Sequence, residues 1–222
     1  MNSAKMVFLL LSLGITLGTI LAIVALDFKA QQPKAQQART QQAIEWLDNP
    51  RNVANFNLES EAGEFTNQSL LGHWSIVLFG FLHCPDICPT SLAQLSRLSA
   101  ALAENSGKHD VTFVFVSVDP GRDSVAKLSQ YLHYFDASIL GATGSEAQIK
   151  RFADSLGIRF EVSANQEDYS VAHSIKFSII DPEGVFRGRF SPDFDMPSLI
   201  QDLAAKLKQT PNARTQATAR SK

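Results

Sequence analysis

The fold follows from two stretches, Ser75-Ile-Val-Leu-Phe-Gly-Phe-Leu82 and Val111-Thr-Phe-Val-Phe-Val-Ser-Val118, which are nearly continuous apolar runs of strand length. Runs of this kind are typical of strands that are covered on both faces of a sheet. Between them, leucine recurs at helical spacing, at Leu92, Leu95, Leu98 and Leu102. The order strand, helix, strand predicts a parallel pair of strands joined by a right-handed crossover.

Two more helices are predicted after the second strand. One follows Asp123, its expected N-cap, and carries an apolar stripe from Val125 to Phe135. The other opens at a capping box, Thr143-Gly-Ser-Glu146, and ends at Gly157.

The C-terminal part predicts a hairpin followed by a helix. Ser174–Ile180 and Val185–Phe190 flank Asp181-Pro-Glu-Gly184, a composition typical of a turn. The last helix is expected after Asp195. A parallel strand-helix-strand unit followed by a hairpin and a helix predicts an α/β protein with a thioredoxin-like fold.

Charge divides the chain into an acidic body and a basic end. Residues 53–205 carry ten basic and nineteen acidic side chains, whereas residues 206–222 carry five basic and no acidic ones. An acidic body repels phosphate backbones, so nucleic-acid binding is not expected. We predict one folded domain over residues 53–207 and a disordered basic tail over residues 208–222.

The N-terminal segment predicts a membrane anchor. Met6–Leu26 contains no charged residue, and about 20 apolar residues span a bilayer as a helix. A cleaved signal peptide is the alternative, although the apolar core is long for one and no A-x-A-like site follows it. Residues 1–29 are therefore predicted to form a cytoplasmic end and a transmembrane helix, and residues 30–52 a glutamine-rich linker. The positive residue before the segment and the acidic body after it predict an N-terminus inside and a domain outside. No Arg- and Ser-rich transit sequence precedes the segment, which favours a single-pass protein of a bacterial inner membrane whose domain faces the periplasm.

The chain has two cysteines, Cys84 and Cys88, at the predicted junction between the first strand and its helix. The positive potential of a helix N-terminus lowers a thiol pKa and supplies thiolate for metal binding or disulfide exchange. Three residues separate the cysteines, whereas thioredoxin-type oxidoreductases have two. A structural disulfide is a third interpretation. Two thiolates suit Cu(I), while Cu(II) or Zn(II) also needs an imidazole or a similar donor.

Five histidines are candidates for that extra donor. His73, His109 and His133 are expected on the surface or in loops. His83 adjoins Cys84, but neighbours at a strand end point in opposite directions. His173 lies where the hairpin is expected to begin, and its strand could pack beside the cysteine loop.

Five motifs in fixed order resemble the Sco (SenC/PrrC) copper-protein family from about Phe56 to about Leu207. They are Phe79-Gly-Phe-Leu-His83, Cys84-Pro-Asp-Ile-Cys88-Pro, Val116-Ser-Val-Asp-Pro120 with Arg122-Asp123, Tyr169-Ser-Val-Ala-His173-Ser, and Asp181-Pro-Glu-Gly184. The resemblance implies a membrane-tethered thioredoxin-like domain in which Cys84, Cys88 and His173 bind one copper ion, Cu(I) or Cu(II).

The role implied by the resemblance is that of a copper chaperone for the binuclear copper centre of cytochrome c oxidase. The expected partners are the copper-bearing oxidase subunit and other copper chaperones or thiol-disulfide reductases, and the domain is expected to be monomeric. The alternative is a membrane-anchored thiol-disulfide reductase that keeps the target's cysteines reduced. A peroxidase or redox sensor on the same fold is a third class. An enzyme is not expected unless the reductase alternative holds.

Two positions depart from the family pattern. Ala172 stands where relatives often have an acidic residue, and Leu82 replaces a small hydroxylated one. Neither departure removes a ligand, but both bear on metal affinity or partner choice. Asp86, between the cysteines, is interpreted as an anion near a helix start. Asp119 and Arg122 are explained by a turn that leads into a helix.

Overall fold

The structure is a computed structural model that describes residues 43–105, 111–136, 138–164, 169–173 and 175–207. The predicted anchor, the first part of the predicted linker and the predicted tail lie outside the described residues. Among the residues that are described, no helix has the length and the apolarity needed to cross a membrane.

The described residues form ten strands, four α-helices and one short 3-10 helix. The strands are β1 (Glu45–Asn52), β2 (Asn57–Ser60), β3 (Gly63–Thr66), β4 (Trp74–Gly80), β5 (Val111–Ser117), β6 (Ile139–Thr143), β7 (Phe160–Ala164), β8 (Tyr169–His173), β9 (Phe177–Ile180) and β10 (Val185–Phe190). The helices are α1 (Ile87–Asn105), α2 (Val125–Leu132), α3 (Glu146–Ser155) and α4 (Met196–Leu207), with a short 3-10 helix at Asn67–Leu70.

Eight of the described strands form one mixed sheet in the order β1-β10-β9-β4-β5-β6-β2-β3. The predicted parallel pair is confirmed, because β4 pairs with β5 in parallel from Trp74↔Val111 to Gly80↔Ser117. β6 continues the parallel part beside β5, and β9 runs antiparallel to β4. β7 and β8 form a separate antiparallel pair.

Apolar side chains cover both faces of this sheet, as the continuous runs predicted. All seven residues of β4 are buried. Alternate residues such as Val77 and Phe79 pack in one cluster with Phe152 of α3, and this cluster also contains both cysteines. The other residues, such as Ile76 and Leu78, pack in a second cluster with the leucines of α1, α2 and α4.

Both predicted helix caps are wrong. Ser124, not Asp123, is the N-cap of α2, and its hydroxyl accepts from the Lys127 backbone N–H. Asp123 is instead buried, and its carboxylate accepts hydrogen bonds from the Leu82 backbone N–H and the Ser117 hydroxyl. Thr143 is not the N-cap of α3, because it belongs to strand β6. The N-cap is Ser145, which makes no side-chain cap bond. The predicted end at Gly157 agrees with the structure, since α3 closes there with a positive φ of 71°.

The folded domain begins before the predicted boundary at Val53. Residues 45–52, assigned to the linker, form β1, which pairs with β10 at one end of the sheet. Ile44, just before this strand, is fully buried. This segment contains few apolar residues and no apolar-polar alternation, so its sequence did not predict a strand.

The predicted hairpin is confirmed, with a later start for its first strand. β9 begins at Phe177 and not at Ser174, while β10 has the predicted bounds. The Asp181 carboxylate accepts from the backbone N–H groups of Glu183 and Val185, both at 2.9 Å, which closes the turn. The last helix is confirmed at Met196–Leu207.

Candidate metal centre

The cysteine motif lies at the carboxyl end of β4, where the chain turns into α1. Cys84 lies in the connecting loop, and Cys88 is the second residue of the helix. Both are buried, with 9% and 2% of their surface exposed, and neither forms a disulfide. The loop is a tight turn, in which the Cys84 backbone N–H donates to the Phe81 carbonyl at 3.3 Å.

The two sulfur atoms lie side by side. The Cys88 side chain hydrogen bonds with that of Cys84 and with the backbone of Phe81. Gly80 makes room for this arrangement, because a Cβ atom there would lie only 2.9 Å from the Cys88 sulfur. A pair of adjacent sulfurs is the donor set that a soft cation such as Cu(I) prefers.

Burial controls the protonation of Cys88. Loss of hydration is the main cause that raises the pKa of the Cys88 thiol to about 12; the neighbouring Cys84 and Asp123 act in the same direction, and the Phe81 backbone acts against them. The expectation that the helix N-terminus supplies a Cys88 thiolate is therefore wrong for the metal-free protein. At neutral pH, Cys88 is a thiol that loses its proton only to a partner that compensates the charge, such as a metal ion.

A second loop packs against the cysteine loop. It follows β5, and because β4 and β5 are parallel neighbours, the two loops meet at the same edge of the sheet. Asp123 of this loop is buried, and its Oδ2 atom accepts from the Leu82 backbone N–H at 3.0 Å and from the Ser117 hydroxyl at 2.7 Å. This carboxylate therefore ties the residues just before Cys84 to the end of β5.

Asp119 and His83 complete the polar surroundings of the cysteine loop. Asp119 is fully buried, and one of its carboxylate oxygens accepts from Arg122 Nε at 2.5 Å. His83 Nδ1 lies 3.8 Å from Asp123 Oδ1, and the His83 side chain is 55% exposed. His83 is therefore exposed, whereas the adjacent Cys84 is buried.

Tyr131 is a neighbour of the site that the sequence analysis missed. Burial raises the pKa of the Tyr131 hydroxyl, and electrostatic interactions with Cys88 and Cys84 act in the same direction. The residue lies on α2, and its ring packs on the edge of the Phe135 ring at 5.3 Å. In the sequence, Tyr131 stands out only as part of an amphipathic helix. That pattern predicts packing and does not predict that Tyr131 lies near a thiol.

The backbone position of His173 differs from the prediction. His173 is the last residue of β8 and does not open the strand that follows, because β9 starts only at Phe177. Its register partner in β7 is Phe160, which packs against the apolar cluster that contains both cysteines. The side chain of His173 lies outside the described part of the structure, so His173 remains a predicted ligand.

The other predicted residues have simple surroundings. His133 caps the C-terminus of α2 and is exposed, as expected. His73 is half-buried, and His109 lies outside the described residues. Asp86 is exposed, directly before α1. Leu82 offers its backbone N–H to Asp123 and packs its side chain against the second apolar cluster.

A mixed sheet covered on both faces, with two adjacent thiols where β4 turns into a helix, defines a thioredoxin-like α/β protein with a dithiol site. A family model described as SCO1/SenC matches residues 46–208, which is more than half of the chain. The chain therefore belongs to the SCO1/SenC family.

Individual relatives agree with this assignment. The chain is 31% identical over 201 residues to an SCO2-like protein of Rickettsia felis, and the match covers 89% of this chain and 94% of that one. It is 37% identical over 156 residues to the mitochondrial SCO1 homolog 1 of Arabidopsis thaliana, with 69% of this chain covered. The chain spans 46% of that relative's length and 62% of the length of mitochondrial SCO1 of Saccharomyces cerevisiae.

A solved structure shows the same fold. The crystal structure of Arabidopsis thaliana ScoI with copper bound superimposes with a TM-score of 0.65 at 36% sequence identity. The match covers 71% of this chain and 99% of that one. The thioredoxin-like α/β fold predicted from the sequence is thus confirmed.

Proposed function

We propose that this protein is a copper chaperone that carries one copper ion on Cys84, Cys88 and His173 and delivers it to the binuclear copper centre of cytochrome c oxidase. The observation that carries the proposal is the adjacent, buried pair of thiol sulfurs at the start of α1. The copper-bound structure of the related Arabidopsis thaliana ScoI supports it.

Copper is the cargo of this site, and its two oxidation states use the ligands differently. Cu(I) is satisfied by the two soft thiolates, whereas Cu(II) also requires a nitrogen donor. His173 is the proposed nitrogen donor, on the strength of the family motif Tyr169–Ser174. Transfer proceeds by ligand exchange, in which donors of the target displace Cys84, Cys88 and His173 one at a time so that copper is never released to water.

Protonation supports directional transfer. Because the pKa of the Cys88 thiol is raised to about 12, the metal-free site holds its proton at neutral pH. Copper loading must expel that proton, and copper delivery lets it return. Reprotonation of Cys88 therefore favours the empty state once a target ligand has engaged the metal.

The same observation disfavours the reductase alternative. A dithiol reductase attacks a target disulfide with a thiolate, and the thiolate fraction of a thiol with a pKa near 12 is very small at neutral pH. Cys84 would have to be the attacking residue, and it is only 9% exposed. Buried thiols suit a bound ion better than an attack on another protein.

We also propose that Met6–Leu26 is an uncleaved anchor in a bacterial inner membrane, with the domain in the periplasm. The uncharged length of this segment supports a membrane span. The full chain should then stay with the membrane fraction after a carbonate wash, and its N-terminus should be intact. An N-terminal sequence that begins near Leu26 would show cleavage and contradict the proposal.

Copper titration of single variants tests the ligands. In the reduced full chain, purified in detergent without oxygen, Cys84→Ser or Cys88→Ser should abolish tight Cu(I) binding, because a neutral hydroxyl replaces a soft anion. His173→Ala should keep Cu(I) but lose tight Cu(II) binding. His133→Ala is the matched control, because this histidine is exposed at the end of α2. Tight binding of one Cu(I) ion by either serine variant would defeat the proposal.

Oxidase assembly separates the chaperone from the reductase. Cells that express only His173→Ala should lose assembled oxidase if Cu(II) held by three ligands is the form delivered. A metal-free dithiol reductase should tolerate the same substitution, because its electrons reside on the two cysteines. Normal assembly together with lost Cu(II) binding would therefore favour the reductase. Unchanged binding of both copper states would remove His173 from the ligand set and make His83 the next candidate.

A further inference from the structure

We propose that His83, Asp119 and Asp123 form a second metal site, separate from the thiol pair, for a divalent first-row transition-metal ion that prefers nitrogen and oxygen ligands. One donor atom from each of the three residues lies within 4.8 Å of the other two. Small side-chain rotations would bring them to the distance of about 2.0–2.2 Å at which imidazole nitrogen and carboxylate oxygen bind such an ion.

The second observation concerns the Asp123 carboxylate. Its Oδ2 atom makes two hydrogen bonds, whereas its Oδ1 atom is buried and makes none. The residue is only 1% exposed. A buried acceptor without a hydrogen bond costs free energy of folding. The two hydrogen bonds that connect Asp123 to Leu82 and Ser117 use Oδ2 alone, so they do not explain why Oδ1 is buried. Oδ1 faces His83 Nδ1 at 3.8 Å, so the orphaned oxygen points into the cluster.

The surroundings permit an ion to enter and to be held. The His83 side chain is more than half exposed, so the cluster reaches solvent on the side of this residue. Arg122 binds one oxygen of Asp119. A carboxylate nevertheless has two oxygens with about four lone-pair positions, so an ion pair does not prevent Asp119 from coordinating a metal.

The donor set selects a different class of ion from the thiol pair. One imidazole and two carboxylates suit Co(II), Zn(II) or Cu(II), whereas two thiolates suit Cu(I). The second site goes beyond the proposed copper delivery and does not depend on it, although His83 adjoins Cys84 in the chain. A protein with both sites can hold a hard or borderline ion next to a soft one.

The test uses Co(II), because its absorption spectrum reports its ligands. The full chain with Cys84→Ser, Cys88→Ser and His173→Ala lacks the whole proposed copper site, so failure of one proposal does not affect the other. In detergent, this variant should bind one Co(II) ion with weak visible bands and no sulfur-to-metal charge-transfer band. Adding His83→Gln should weaken Co(II) binding at least about tenfold, since loss of even an outer-shell partner costs about 10- to 100-fold.

Two further variants complete the experiment. His133→Gln in the same background is the matched control and should leave Co(II) affinity unchanged, because this exposed histidine lies on another element. Asp123→Asn should remove Co(II) binding. If that variant fails to fold, as judged by circular dichroism, the Co(II) affinity of the His83→Gln variant decides whether the second site exists, because His83 is exposed. Absence of Co(II) binding in the background variant, or equal affinity with and without His83→Gln, would overturn the second site.

Discussion

Gly80 occupies the position where a side chain would touch both the core and the thiol pair. A Cβ atom there would lie 2.7 Å from the Phe115 ring and 2.9 Å from the Cys88 sulfur. We predict that Gly80→Ala lowers the free energy of unfolding by about 1–3 kcal/mol, the usual cost of overpacking. It should also weaken Cu(I) binding, because the Cys88 sulfur must move.

Gly141 provides the control for this substitution. Gly141 lies on β6, whereas the cysteine loop follows β4. A Cβ atom at Gly141 would lie 2.9 Å from a methyl carbon of Leu132. Gly141→Ala should therefore destabilise the fold while leaving Cu(I) affinity unchanged. Denaturant unfolding and Cu(I) competition titrations measure the two effects. Equal copper affinities for the two variants would show that Gly80 does not shape the thiol pair.

The protonation of Cys88 predicts a pH dependence of stability. Its pKa is raised in the folded state, from the ordinary 9.0 to about 12, so the folded protein holds this proton more tightly than the unfolded chain. The resulting stability is fully present below about pH 9 and is lost as pH rises towards 12. In reduced, metal-free protein, the free energy of unfolding should fall more steeply over this range than in Cys88→Ser. Parallel pH profiles would contradict the assignment.

At the scale of the elements, the two central helices begin in different ways. The Ser124 hydroxyl accepts from the Lys127 backbone N–H at 3.4 Å, whereas Ser145 makes no side-chain cap bond. We predict that Ser124→Ala costs about 0.5–1 kcal/mol of stability, at the lower end of measured cap losses. Ser145→Ala should cost clearly less. Chemical unfolding of both variants checks this, and a larger loss for Ser145→Ala would reverse the assignment.

At the scale of the whole molecule, strand β1 decides where the domain starts. The described residues from Ala43 onward belong to one compact unit. β1 pairs with β10, and Glu45 forms an ion pair with Arg189 at 2.7 Å. A fragment that starts at Val53 loses this strand together with the fully buried Ile44.

We therefore predict that a fragment from Gln42 is more stable than one from Val53. Burial of the Ile44 side chain alone contributes about 1.5–3 kcal/mol, and the paired strand adds to this. Thermal unfolding of the two fragments should give a higher Tm for the longer one, and the shorter one should expose the edge of β10. Equal Tm values would mean that β1 is dispensable and that the boundary at Val53 was correct.

Much of the molecule follows from patterns within short windows of sequence. β4, β5 and the leucine-rich α1 were predictable because periodicity and burial on both faces are local properties. The hairpin around Asp181 was predictable because its turn is closed by hydrogen bonds within four residues. The placement of Cys84 and Cys88 where a strand turns into a helix follows from the same local patterns.

Contacts between distant residues decided the rest. Asp123 was predicted to be a helix cap, but its carboxylate binds the Leu82 backbone, which is 41 positions away. Cys88 was expected to be easily ionised, but packing removes it from water and raises its pKa. The parallel pairing of β4 with β5 brings the Cys84 loop and the Asp123 loop together. The free-energy cost of ionising Cys88 depends on its loss of hydration and on its charged neighbours, and both are properties of the tertiary structure.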